Sequence, residues 1–146
     1  MQHKRHTHFQ LFEGYCKKNA VDGKEIVATI SGTKVNLRVA ANEDTKAKGL
    51  MGSDEPKDNN GMLFVYDIPD HLGFWMKNVN YPLDILFFDE NLEIVDRHTM
   101  DPYNGESNED IKVYYSRTKA MYAVELRAGW YNENIDLNKG PFKLKF

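Results

Sequence analysis

A single cysteine, Cys16, is all the thiol chemistry this 146-residue chain has. One thiol excludes a disulfide framework within the chain and a cysteine zinc cluster, and it fits a reducing compartment. No apolar stretch approaches the roughly 20 residues of a spanning helix. The start, MQHKRHTHFQLFEGYCKKN, lacks the apolar core of a secretory leader. Together these absences point to a soluble, cytoplasmic protein with no membrane partner. An excess of one charge is missing too: 19 basic residues face 22 acidic ones, for a net charge of −3 and a pI near 5.9. A nucleic-acid binder usually shows a basic face, so nucleic acid is not the expected partner. NGMLFVY, at 60–66, is only faintly similar to an aromatic RNA-binding strand and lacks its leading basic residue. The chain has no GxSxG, HExxH, P-loop or GxGxxG pattern. It also has no internal repeat and no low-complexity tract, and no cofactor is expected.

What the chain does have is a core. Hydrophobic residues make up 41% and aromatic residues 12%. A chain of this length suits one domain and buries about two thirds of its unfolded surface. Residues 1–23 read as a polar N-terminal tail, ordered at most in part, with a short segment at Phe9–Tyr15. His3, His6 and His8 in that tail suit adventitious metal binding better than a built site, which would need ligands from elsewhere. Residues 24–146 read as a single β-rich domain.

The strands announce themselves by alternation. EIVATI and KVNLRVA, joined by Ser31–Gly32–Thr33, predict a hairpin in which Val35, Leu37 and Val39 face inward. NEDTKAKGLMG predicts a short helix capped by Asn42, with Glu43 and Asp44 in its first turn. Gly49 either ends that helix early or lets its backbone lie close against a strand. GMLFVYD is apolar on both faces, with Met62, Phe64 and Tyr66 on one side and Leu63 and Val65 on the other. That pattern marks a central strand. LGFWMK follows, then LDILFFD and EIVDRHTM as a second hairpin about Glu90–Asn91. A long polar loop leads to MYAVEL, a helical turn in AGWYNENIDLNKG, and FKLKF as a closing strand. The fold class is mainly β, a β-rich α+β domain with one or two short helices.

The polar residues of interest cluster around FWMKN, at 74–78. As a strand, this stretch puts Trp75 and Lys77 on one face, with the lysine stem along the indole. Asp84 shares a face with Leu86 and Phe88, where a carboxylate needs a partner. The chain reverses between them, so Lys77 or Asn78 is expected to meet Asp84, as a lock on the turn or as part of a ligand site. A carboxylate beside Lys77 would hold its charge and argue against a nucleophilic lysine. Glu125 ends the apolar face of MYAVEL, pointing either to solvent or inward, and with Asp84 would make a carboxylate pair for acid–base work. The candidate ligand-binding set is Trp75, Lys77, Asn78, Asp84 and Glu125. His71 and His98 are isolated, and no metal site is assigned.

KGLMG at 48–52, GMLFVYDIP at 61–69, FWMKNVNYPLDILFFDENLEIV at 74–95 and YAVELRAG at 122–129 together resemble the family known as domain of unknown function 192. The resemblance covers roughly residues 25–145. It implies a compact, strongly curved sheet or partial barrel with small helices, and it brings no established catalytic residue. Many members carry a secretory or lipoprotein signal, which this start lacks. Ser53–Asp54 stand where an arginine commonly follows the GLM block, Gly140–Pro141 replace the usual closing Gly-Asp, and Asn91–Leu92 replace a turn glycine. Asn91 tolerates the positive φ such a turn needs. The leading expectation is a small domain, without catalysis, that binds a small polar or anionic ligand or a protein partner at the FWMKN/PLDI corner. The alternatives are a hydrolase-like enzyme using Asp84 or Glu125, and a purely structural or interaction protein.

Overall fold

The computed structural model describes residues 20–138 and 143–146. The tail histidines His3, His6 and His8, the Phe9–Tyr15 segment, Cys16 and Gly140–Pro141 lie outside the described residues. Strand β1 (Glu25–Ile30) pairs antiparallel with β2 (Thr33–Ala40). The turn between them carries Ser31 and Gly32 at φ 50° and 88°, the two positive values a tight hairpin of this hand requires. Helix α1 (Glu43–Lys48) then crosses to β3 (Asn60–Asp70), which lies parallel to β2. After β4 (Gly73–Trp75) come the long hairpin β5 (Leu83–Phe88) and β6 (Ile94–Met100), and then β7 (Val113–Tyr115). β8 (Ala120–Arg127), helix α2 (Trp130–Asn134) and β9 (Leu144–Lys145) complete the described chain.

Seven strands form one sheet in the order β6-β5-β8-β3-β2-β1-β9, and β4 pairs with β7 in a separate ribbon. The sheet curls into a half-barrel. β9 pairs with β1, while Leu144 N–H donates to Leu92 O at 2.9 Å, so the last strand reaches back to the β5–β6 hairpin. This is the curved, β-rich single domain that the sequence predicts.

The strongly apolar strands are covered on both faces. Leu37, Val39, Leu63, Leu86, Phe88 and Val124 fill the inner core, closed by Trp130 of α2. Met62, Phe64, Ile85, Phe87 and Ala123 face outward and pack beneath the β4–β7 ribbon with Phe74 and Met76. The alternation read from 62–66 therefore holds, and both faces of that strand are core. Gly61 permits the close approach of β3 to β8: a Cβ there would sit 2.1 Å from the Glu125 carbonyl oxygen.

Two local expectations need correction. FWMKN does not continue as a strand. β4 stops at Trp75, and Lys77–Asn78 form a turn closed by Val79 N–H to Met76 O at 3.0 Å. Asn78 takes φ 59° there, a left-handed conformation asparagine tolerates. In the β5–β6 turn the positive φ falls on Leu92 (65°), not on Asn91. Asp89 organises that turn by accepting from the N–H groups of Asn91 and Glu93, while burial of the Leu92 side chain in the inner core holds its backbone in a strained region.

Candidate functional site

Helix α1 is anchored before it contributes to any site. Asn42 caps it, accepting from Thr45 N–H at 2.9 Å. Asp22 ties the cap to the preceding turn, accepting from Ala41 N–H at 2.7 Å and from the Thr45 hydroxyl. The Ala41 bond first, and then the Thr45 bond, hold the Asp22 carboxyl below its ordinary value. Gly49 ends the helix at φ 51° and turns its backbone onto β3 and β8. A Cβ at Gly49 would lie 3.5 Å from the Phe64 ring and 3.9 Å from Glu125 Oε1. Of the two readings of this glycine the first holds: it ends the helix at a positive φ, and a Cβ there would make only ordinary contact, so close approach does not demand it. The following loop is pinned by the Tyr81 hydroxyl, which donates to Ser53 O at 2.9 Å.

Between α1, the outer face of the sheet and the β4–β7 ribbon lies a cavity of about 350 Å³, at the small end of ligand-pocket sizes. Phe64 and Tyr66 of β3 and Phe74 and Trp75 of β4 supply aromatic walls. Phe74 meets Phe64 edge-on at 4.9 Å and Tyr66 at 6.4 Å between ring centroids. Lys46 of α1 places its ammonium 4.2 Å from the centre of the Tyr66 ring and 3.8 Å from Glu43.

Glu125 forms the floor. It sits on β8 opposite Met62 and Ile85, and register puts opposed residues on one face. It is therefore on the outer, cavity side of the sheet, 4% exposed. Among the described residues, neither of its carboxyl oxygens has a hydrogen-bond donor or a cationic partner. Burial alone raises its pKa to about 8, so at neutral pH it is mostly a neutral acid. The Tyr66 and Tyr81 hydroxyls are pushed up first by burial and then by Glu125.

The other sequence candidates are dispersed. Trp75 lines the cavity mouth, 37% exposed. Lys77 keeps the predicted stacking, its ammonium 5.5 Å from the centre of the Trp75 ring, on the turn beyond the cavity wall. Asn78 is exposed in that turn. Asp84 faces the inner core, 2% exposed. Its two oxygens accept from the Thr99 hydroxyl at 2.8 Å and from Tyr131 N–H at 2.9 Å. Tyr131 lies in the first turn of α2, where backbone N–H groups have no partner within the helix, so Asp84 caps α2. The expected Lys77–Asp84 lock does not form. Nor do Asp84 and Glu125 make a carboxylate pair, because neighbouring positions in the β5–β8 register put them on opposite faces of the sheet. Lys46, Gly49, Phe64 and Tyr66 were not read as site residues. The signal was present in the shared face of Met62, Phe64 and Tyr66, but the register that sets this face beside Glu125 is not written in the spacing.

The DUF192 family, described as uncharacterized ACR, matches residues 26–140. The chain belongs to DUF192. A solved structure of a candidate transcription regulator from Sinorhizobium meliloti 1021 is similar, with TM-score 0.71 and 25% identity, covering 86% of this chain and 95% of that one. A protein of unknown function from Novosphingobium aromaticivorans DSM 12444 matches with TM-score 0.69 and 26% identity over 84% of this chain and 85% of its own. No curated protein matches. In this DUF192 member all four blocks that carry the family resemblance contribute to the cavity lining: Gly49 from KGLMG, Phe64 from GMLFVYDIP, Phe74 and Trp75 from FWMKN, and Glu125 from YAVELRAG. Among the described residues no group of acids, histidines or cysteines is arranged to hold a metal, and no helix is long and apolar enough to cross a membrane.

Proposed function

We propose that this domain binds a small molecule in the cavity floored by Glu125. One observation carries the reading: a buried carboxyl, without a hydrogen-bond partner among the described residues, is aimed into a space with aromatic walls. Buried polar groups are ordinarily paired within the protein, whereas the Glu125 carboxyl opens onto the cavity. A bound ligand would supply the missing partner. The convergence of four family blocks on the same space supports the reading further.

Ala47 lies on the exposed side of α1 at the cavity mouth, so Ala47→Trp should block entry without disturbing the core. Ligand-observed NMR with a diverse fragment library tests the proposal. Fragments should bind the parent chain and lose at least tenfold in affinity to Ala47→Trp. Absence of binders, or binding indifferent to the substitution, would overturn it.

The exposed Trp75, Val113 and Tyr115 on the outer face of the β4–β7 ribbon favour a second reading. In it, a protein segment lies across the ribbon. Fragments that shift amide signals at Tyr115 but not at Gly49 and Glu125 would favour that partner surface.

A further inference from the structure

We propose that the ligand is an organic ammonium: a primary amine whose nitrogen sits on the Glu125 carboxylate and whose short aromatic or branched arm lies against Phe64 and Phe74. This rests on the small-molecule reading above and names its chemistry. The cavity floor offers two oxygen acceptors, and among the described residues no donor faces them. An ammonium brings three donors and a positive charge. The walls are aromatic, and a ring attracts a cation placed over its face through its quadrupole. One wall already does so, since the Tyr66 ring carries the Lys46 ammonium at 4.2 Å. That lysine is engaged by Tyr66 and Glu43 and does not lower the Glu125 carboxyl, whose shift comes from burial alone. The site thus lacks its own counter-ion at the floor, while Lys46 and Lys48 line its helix side.

The groups around Glu125 fix the expected pH behaviour. Tyr66 comes from β3, Tyr81 from the segment before β5, and Glu43, Lys46 and Lys48 from α1, while β4 and β7 contribute the apolar or aromatic Phe74, Trp75 and Val113. Below about 8 the empty site holds a protonated Glu125. Seating an ammonium breaks its O–H bond and releases one proton to solvent, and the ammonium keeps all of its own. Affinity should therefore rise with pH, by about tenfold per unit below the carboxyl's pKa, and level off above it. Simple alkylamines stay protonated over that range, with a pKa near that of lysine, about 10.

Isothermal titration calorimetry on the full chain tests this with phenethylamine, 2-phenylethanol and phenylacetate as cationic, neutral and anionic probes. Each is titrated near pH 6 and pH 8, in buffers of different ionisation enthalpy. The amine should bind best, bind more tightly at the higher pH, and release close to one proton at the lower pH. Glu125→Gln should lose tenfold or more for the amine and abolish the proton release. Tighter binding of phenylacetate, or amine binding insensitive to both pH and Glu125→Gln, would overturn the ammonium assignment. So would failure of the amine in a protein whose fragments still lose to Ala47→Trp, and that result would leave the small-molecule reading standing.

Discussion

Replacing Glu125 by glutamine should stabilise this protein, and by an amount that grows with pH. Moving the carboxyl from its ordinary 4.5 to about 8 corresponds to roughly 5 kcal/mol between the two protonation states. Near pH 4 both folded and unfolded chains are protonated, and the shift costs nothing. Between 4.5 and about 8 the unfolded chain has lost its proton while the folded one keeps it. Folding must then take up a proton, so stability falls as pH rises, by up to roughly 1.4 kcal/mol per unit. Above 8 the loss is complete. Glutamine cannot ionise and is nearly the same shape, so the variant escapes the loss while other titrating groups cancel in the comparison. Urea denaturation of both proteins near pH 4, 7 and 9 should give midpoints that almost coincide at the lowest pH. At the highest, the variant should lead by several kcal/mol, on the order of 5. Parallel stability curves across this range, or a variant that is the less stable one at pH 9, would refute a desolvated and unpartnered Glu125.

Lys77→Met should cost less than about 1 kcal/mol in thermal or chemical denaturation, the scale of one cation–π contact; a loss of roughly 3–5 kcal/mol would mean a broken buried ion pair and contradict the geometry of the turn. Asp84→Ala should cost about 3 kcal/mol, because the Tyr131 N–H and the Thr99 hydroxyl lose a carboxylate acceptor in the core, and hydrogen exchange at Tyr131 should accelerate ahead of the sheet. Gly61→Ala should destabilise by about 3 kcal/mol, the upper end of overpacking costs, since the added methyl meets backbone at 2.1 Å; near-parent stability would show that β3 and β8 are further apart.

Sheet faces were legible in the sequence where both neighbours of a strand were apolar. Val35, Leu37 and Val39 point inward as their alternation predicts, and Met62, Phe64 and Tyr66 share a face. The Asn42 cap was legible because it acts over three residues. Asp84 was legible only as a carboxylate in need of partners. Those partners stand 15 and 47 residues further on, and nothing in local spacing points to them. β7 was missed because Val113–Tyr115 is three residues long and stands after a polar loop, so its pairing with β4 comes from the tertiary fold. Leu92 went unread for a related reason: its backbone strain is set by the core that holds its side chain, not by turn propensity.

The two buried carboxylates show how one sheet divides its work. Asp84 and Glu125 occupy neighbouring registers of adjacent strands, and each sits among apolar side chains. The inner face gives Asp84 a helix N-terminus and a hydroxyl, so its oxygens are engaged and its role is to fix α2 over the half-barrel. On the outer face Glu125 meets a glycine and the open space of an aromatic-lined cavity. FWMKN belongs to that second face in an uneven way. Phe74 and Trp75 wall the cavity, Met76 anchors the ribbon, Lys77 covers the indole, and Asn78 supplies the left-handed turn that sends the chain on to Val79 and β5. A lysine directly after such an apolar run therefore needs no buried counter-ion, because it marks where the strand has already ended. The polar group of this corner without a hydrogen-bond partner among the described residues is Glu125, on the outer face of the sheet.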